Sequence, residues 1–466
     1  MNTNLKRVLA VMLCLVMSVT LFVGCGKDTS DKDEQGRTMI TVGNYPAEGT
    51  PKRETFDARL AAYNAANPDV AVTPLEWSFD LKAFYSQAAG GQLPTVFNAN
   101  FTEVNPAAQA GYAADLTKVL KKRGYDGQFN QQILDALSPD GKIYSFPISS
   151  YIVGLWCNID LFEKAGLMQE DGTPMQPKTW DELAQFAVKI KEATGKAGIV
   201  MASNSNVGGW LFTPLAWSYG VEFMKQNEDG TYTATFNSPE AAAALQFVKD
   251  LKWKYDVLPA DTLVDNNKKF QLFATGEAAM FLDAGDSAPR LLQYDMDIND
   301  MGVMALPAGP AKHVTLLGGY TYMMPSNATD DQLDAAVRWI ETEYKSKVDD
   351  VVKETKTKDI ETQVADGQLV GIKSMSVWSN DSEFVKWNNA LIDKYTNINP
   401  NHVKLYNEFV ANCPAEIRPE ERICAQELYG ILDNCIQEVW SDKNADVVKV
   451  LEKANSDFQN DYLNNF

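Results

Sequence analysis

Apolar positions fall into short blocks whose period switches along the chain. Residues 39–45 are rich in β-formers and end in a Pro/Gly loop, which predicts a strand. Residues 51–66 place Phe56, Leu60 and Tyr63 on one helical face, and Asn67-Pro68 stops the helix. A strand over 70–75, a helix over 81–89 stopped by Gly90-Gly91, and a strand over 94–98 follow. Strand–helix–strand–helix–strand at this spacing predicts an α/β unit with parallel strands. Residues 116–123 read as helix.

A second unit of the same kind starts after residue 150. Residues 152–157 are an apolar strand and 199–202 a further one. Between them, Thr179-Trp180-Asp181-Glu182 reads as a capping box, with Leu183, Phe186, Ala187 and Ile190 as the inward stripe. Ser238-Pro239 opens a helix with a cap and a proline in its first turn. Helices are predicted over 267–275 and 330–344, and two amphipathic helices over 420–463. Residues 345–368 are charged and polar and read as a surface helix or insertion. No internal repeat is present. The expectation is an α/β protein of two lobes, completed by long returning helices.

Composition narrows the functions. The 466 residues are 45% hydrophobic, enough for two or three domains with real cores. Forty-two basic against 62 acidic residues give a net charge of -20, which argues against a nucleic-acid partner. Two histidines, His313 and His402, make a histidine metal centre improbable, and both read as surface residues. No CxxC pair occurs, so Cys157, Cys413, Cys424 and Cys435 read as buried free thiols. On one straight helix Cys424 and Cys435 would stand roughly 16 Å apart, too far to bond.

The N-terminus suggests a compartment. Lys6 and Arg7 precede an uncharged apolar run over residues 8–23, shorter than the roughly twenty residues of a membrane span. Gly24-Cys25-Gly26 and a polar stretch follow, which makes a secretory signal. Leu21-Phe22-Val23-Gly24-Cys25 resembles a bacterial lipobox, with Cys25 as the lipidated residue and 26–37 as a solvated tether. The expected result is a body held at the outer face of a bacterial cell membrane through its lipid alone, as a monomer.

Catalytic signatures are missing. No GxSxG, HExxH, P-loop or GxGxxG occurs, and no cofactor is expected. The Gly-Gly pairs at 90–91, 208–209 and 318–319 do not read as openings of phosphate-binding helices. Acidic residues abound, but nothing singles out a pair for glycoside hydrolysis.

Asp140-Gly141-Lys142-Ile143-Tyr144-Ser145-Phe146-Pro147, followed by Leu155-Trp156-Cys157-Asn158-Ile159-Asp160-Leu161-Phe162, resembles the family 1 extracellular solute-binding proteins of ABC importers, maltose-type receptors among them. Cys157 stands where that family has Tyr. Pro177-Lys178-Thr179-Trp180-Asp181-Glu182-Leu183, Phe273-Ala274-Thr275-Gly276-Glu277-Ala278-Ala279-Met280, and Gly302-Val303-Met304-Ala305-Leu306-Pro307 with Gly318-Gly319-Tyr320 agree in order. The resemblance implies two lobes joined by crossovers at 147–150, 318–320 and near 369–377. A carbohydrate would lie in the cleft between them and be passed to the permease's transmembrane subunits. The implied organisation is a signal peptide over 1–24, anchor and tether over 25–37, lobe 1 over 38–147 and 321–370, and lobe 2 over 151–318 and 376–466 with the C-terminal helices. A peptide or polyol receptor on the same fold, or a lipid-anchored hydrolase, are the alternatives.

Sugar recognition needs aromatic faces for C–H surfaces and polar groups for hydroxyls. The resemblance places a stacking aromatic at Trp210, read as a loop residue whose preceding Gly208-Gly209 allows close approach. It places a polar contact at Tyr151, and at Asp286 a carboxylate where many sugar binders carry Trp. Glu48 after the first strand, and Asn98, Asn100 and Glu103 after the third, lie where open α/β sheets put ligands. Trp77 is a candidate second platform, and Trp378 a weaker one.

Overall fold

The computed structural model describes residues 31–138 and 140–465. The leader and Cys25 lie outside the described residues. Among those described, no helix is long and apolar enough to cross a membrane.

Local signals set the first lobe. Thr50 accepts the N–H of Arg53 at the start of helix Pro51–Ala66, and Asp80 accepts that of Ala83 at the start of Leu81–Ala89. Strand β1 (Thr38–Val42) runs parallel to β2 (Val70–Pro74), and Val42 bridges in parallel to Val96 on its other side. Helix Asp330–Ile340 returns to this lobe, where Tyr63 donates its hydroxyl to the Ala335 carbonyl at 2.8 Å. Ile40, Tyr63, Phe84, Phe97 and Trp339 form the core beneath.

Two long strands belong to both lobes. With β3 (Phe97–Asn100), β5 (Met224–Gln226) and β6 (Tyr232–Ala234) named in order, they are β4 (Phe146–Asn158) and β9 (Val314–Met323). They pair antiparallel from Phe146↔Tyr322 to Ile152↔Leu317, with a register shift between Pro147 and Ser149. Past that stretch β4 pairs with β7 (Met280–Ala284) and β8 (Met301–Met304). The start of β9 pairs with β10 (Glu416–Pro419), and its end with β3. The central β4–β9 ribbon is therefore the connection between lobes. Beside it, Ser150 donates its hydroxyl to the Met375 carbonyl at 2.6 Å.

The second lobe packs on one face of β4, through Val153, Leu155 and Cys157, while Trp156 points to the other. Its core holds Trp180, Trp217, Leu428 and Trp440. Helix Val207–Ser218 lies against helix Ala425–Ser441, and Gly208 and Gly209 stand in its first turn. Any Cβ at 209 would overlap the Tyr429 backbone.

Several expectations change. Residues 199–202 are extended and bonded, through Val200 N–H to the Met280 carbonyl, but form no strand ladder. Thr179 does cap helix Trp180–Thr194, yet Glu182 reaches back to the N–H of Lys178 rather than that of Thr179. Residues 31–37 are not a free tether: Asp31 accepts the hydroxyl of Thr329, and Lys32 pairs with Asp331, both at 2.6 Å. His402 is buried, because Met301-side packing closes over helix Pro400–Asn412; burial lowers its pKa. All four described cysteines are free, Cys157 and Cys435 buried and Cys413 and Cys424 half-buried. Helix Asp350–Ala365 is a surface helix with Ile360 as its buried residue.

Candidate functional site

The floor of the site is the β4–β9 ribbon. Gly318 lies opposite Tyr151, and a Cβ there would overlap the Tyr151 ring; at Gly319 it would overlap the Ser149 carbonyl and the edge of Phe101. Glycine at these two positions lets rings lie directly on the backbone. Above this floor is a cavity of about 300 Å³ between the lobes. Asn100 and Thr102 reach it from the first lobe, Tyr151 and the exposed Tyr320 from the ribbon, and Asn206, Trp210, Glu420, Gln426 and Tyr429 from the second.

Glu420 organises the second-lobe wall. Its Oε1 accepts the indole N–H of Trp210 at 3.1 Å, and its Oε2 accepts the hydroxyl of Tyr429 at 2.8 Å. Desolvation nonetheless pushes its carboxyl up to about 7. Glu103 is buried just behind Thr102, and desolvation raises it to about 7 as well, with repulsion from Glu420 and Glu427 adding to the shift. Of the two arginines that flank Glu420 in sequence, Arg418 is engaged by Glu222 at 2.6 Å and Glu421 at 3.2 Å, and Arg422 is exposed and does not line the cavity. Among the described residues, no Lys, Arg or His lines the cavity.

The start of helix Val207–Ser218 also faces the cavity through Asn206 and Val207, but its N–H groups are taken. Asp433 accepts from Gly209 at 2.8 Å and from Asn206 at 2.6 Å. A helix N-terminus occupied by a carboxylate offers no anion site.

Trp210, Tyr151 and Asn100 are brought together here. Trp210 is in a helix rather than a loop, and its two glycines make room for close packing instead of ligand approach, Gly209 against the Tyr429 backbone and Gly208 against the Asp433 carboxylate and the backbone of Ala202 and Ser203. Glu103 stands behind the wall. Asn98 is one turn of the pleat away, opposite Tyr322, with its Oδ1 unpartnered. Asp286 lines a second, larger cavity of about 940 Å³, with Arg59, Ser149, Val351 and Trp378. Ile148, Ser149 and Ser150 of β4 line this larger cavity, next to Tyr151 of the smaller one. Glu48 is exposed and lines neither. Trp77 also lines neither: it packs edge-on against Phe97 at 5.0 Å and donates to Gln87 at 2.7 Å. Trp378 stacks on Phe129 at 5.0 Å and is 4% exposed.

Sequence reading missed Glu420, Tyr429 and Tyr320. Tyr320 had a signal in the Gly318-Gly319 pair before it. Glu420 had none, because its partner Trp210 lies far away in sequence.

The family described as bacterial extracellular solute-binding protein matches residues 47–343. Among curated relatives, the sn-glycerol-3-phosphate-binding periplasmic protein UgpB of Salmonella typhimurium is 28% identical over 281 residues, 57% of this chain and 60% of the relative. The chain spans under two thirds of the length of the curated relatives it matches. The cyclic alpha-maltosyl-1,6-maltose binding protein of Arthrobacter globiformis superposes with a TM-score of 0.65 at 22% identity, over 92% of this chain and 100% of that one. UgpB of Mycobacterium tuberculosis, solved with glycerophosphocholine, gives 0.64 at 16%, over 91% and 98%. Both likenesses establish the two-lobed fold of solute-binding proteins.

Proposed function

Because the chain belongs to the bacterial extracellular solute-binding proteins, we propose that it is the lipid-anchored receptor of an ABC importer. It captures a carbohydrate between its lobes and delivers it to the permease's transmembrane subunits. The observation that carries this reading is the cavity at the ribbon, where the rings of Trp210, Tyr151 and Tyr320 meet the amide and carboxyl groups of Asn100 and Glu420. Rings cover the C–H faces of a pyranose, and the polar groups accept and donate to its hydroxyls. Closure of the lobes over the ligand follows from contacts made to both at once.

A phosphorylated polyol, the ligand in the name of the Salmonella relative, is disfavoured by the lining. It would need a cation or an open helix N-terminus; among the described residues no cation lines the smaller cavity and Asp433 holds its nearest N-terminus, whereas Lys52, Arg59, Lys345 and Lys356 line the larger one, so the exclusion holds for the smaller cavity alone. The protein acts as a receptor and not as a hydrolase, so a bound oligosaccharide is returned intact. Its anchor is Cys25, and it works as a monomer at the outer face of the cell membrane.

A thermal-shift screen over sugars, polyols, sn-glycerol 3-phosphate and peptides tests the reading. A carbohydrate at a hundred times its dissociation constant should add roughly 2.7 kcal/mol of stability. Stabilisation by the phosphate ester or a peptide with no response to any sugar contradicts it, as does product in excess of protein when a bound oligosaccharide is recovered.

A further inference from the structure

The smaller cavity is more acidic than a ligand of hydroxyl groups alone requires. Glu420 lines it from the second lobe, and Glu103 of the first is buried beside Thr102, whose hydroxyl donates to it at 3.1 Å. Neither is in an ion pair with a described residue, and Arg418 is turned to Glu222 and Glu421. The remaining polar wall, Asn100, Asn206 and Gln426, is neutral. Two desolvated carboxylates with no counter-charge are costly, and a cation between lobes would relieve them.

The aromatic walls favour the same charge. Tyr151 and Trp210 meet edge to face, centroids 6.4 Å apart and planes at 80°, so they present different sides to the same volume. Tyr320 and Tyr429 add two more rings. Several ring faces around a small volume attract a cation, by about 0.5–1 kcal/mol when exposed and more when water is excluded.

We propose that this cavity receives the ammonium group of an amine-bearing carbohydrate, an amino sugar or aminocyclitol ring, with Trp210 and Tyr151 against the cation and Glu420, backed by Glu103, as its counter-charge. This rests on the cavity being the ligand site. The rest of a longer ligand has room in the larger cavity, which Ser149 and Ser150 of the same ribbon line. Protonation of Glu420 or Glu103, each shifted up to about 7, is what a neutral ligand has to tolerate and a cationic one reverses.

Calorimetry at pH 7 with three matched β-1,4-linked trisaccharides, of glucosamine, N-acetylglucosamine and glucose, tests it. The amine should bind at least about tenfold tighter than either neutral sugar. Glu420→Gln keeps an acceptor for Trp210 and should bring that ratio close to one; Glu103→Gln should narrow it. Equal or weaker binding of the amine overturns the inference, and so does a ratio that survives both substitutions. If a neutral sugar then still binds and Trp210→Ala weakens it, the carbohydrate reading stands without the ammonium. If none of the three binds, the inference fails, and the thermal screen decides the site reading separately.

Discussion

Trp210 donates its indole N–H to Glu420 over 3.1 Å, and the same carboxylate takes the hydroxyl of Tyr429. The indole is thereby held at the cavity wall by a carboxylate in the connection between β10 and helix Ala425–Ser441, with its ring edge-on to Tyr151. A side chain fixed by a hydrogen bond loses less freedom when a ligand stacks on it, and this preorganisation favours affinity.

The carboxylates make stability depend on pH. Desolvation pushes the Glu420 and Glu103 carboxyls up to about 7 in the folded chain, above the roughly 4.5 of an exposed glutamate in the unfolded one. Between those values the folded state holds more protons, so stability falls as pH rises from about 4.5 to 7 and then levels. Urea denaturation of the ligand-free protein at pH 5 and pH 8 should show the lower midpoint at pH 8. Buried His402, with its lowered pKa, contributes the opposite slope, so the carboxylate share is read from the variant: Glu420→Gln should gain stability relative to wild type at pH 8 compared with pH 5, and a variant whose pH dependence matches wild type contradicts the account.

Gly318 supports the Tyr151 ring with no room for a side chain. Gly318→Ala must shift that ring or the β4–β9 ribbon, at a cost of about 1–3 kcal/mol. The loss is read from the denaturation midpoint, with ligand affinity falling in parallel because Tyr151 lines the cavity. Unchanged stability and affinity would mean that the ribbon yields freely at this point.

These two relationships mark what was and was not legible in the sequence. Helices Pro51–Ala66 and Leu81–Ala89 were readable end to end from their local stops, Asn67-Pro68 and Gly90-Gly91, to which the structure adds the caps Thr50 and Asp80, all acting within a turn. The Gly318–Tyr320 crossover was readable only through its resemblance to a family. Helix Val207–Ser218 was not, since two glycines oppose a helix locally by about 1 kcal/mol each. They are kept because helix Ala425–Ser441 crosses there with no space for a Cβ. The wall built by Glu420 on Trp210 joins residues from distant parts of the chain, and no local pattern encodes that pairing. Trp77 had the composition of a platform, but Gln87 and Phe97 claim its edge and ring.

The anchor is tested apart from the cleft. Cys25→Ser removes the thiol that a lipid would modify after Gly24. The variant should leave the membrane fraction and appear in the medium, whereas wild type stays with membranes, since no helix among the described residues is long and apolar enough to cross a membrane. Retention of the variant after salt and carbonate washing contradicts lipid anchoring.

The central claim is that a carbohydrate stacks on Trp210 between the lobes, and isothermal calorimetry of Trp210→Ala measures it most directly. With a sugar identified by the thermal screen, loss of the indole should cost on the order of 2 kcal/mol. That corresponds to roughly thirtyfold weaker binding, with the ligand-free melting temperature within a few degrees of wild type because Trp210 is only half-buried. Unchanged affinity, or weaker binding accompanied by a large fall in that melting temperature, would remove Trp210 from the site and contradict the account.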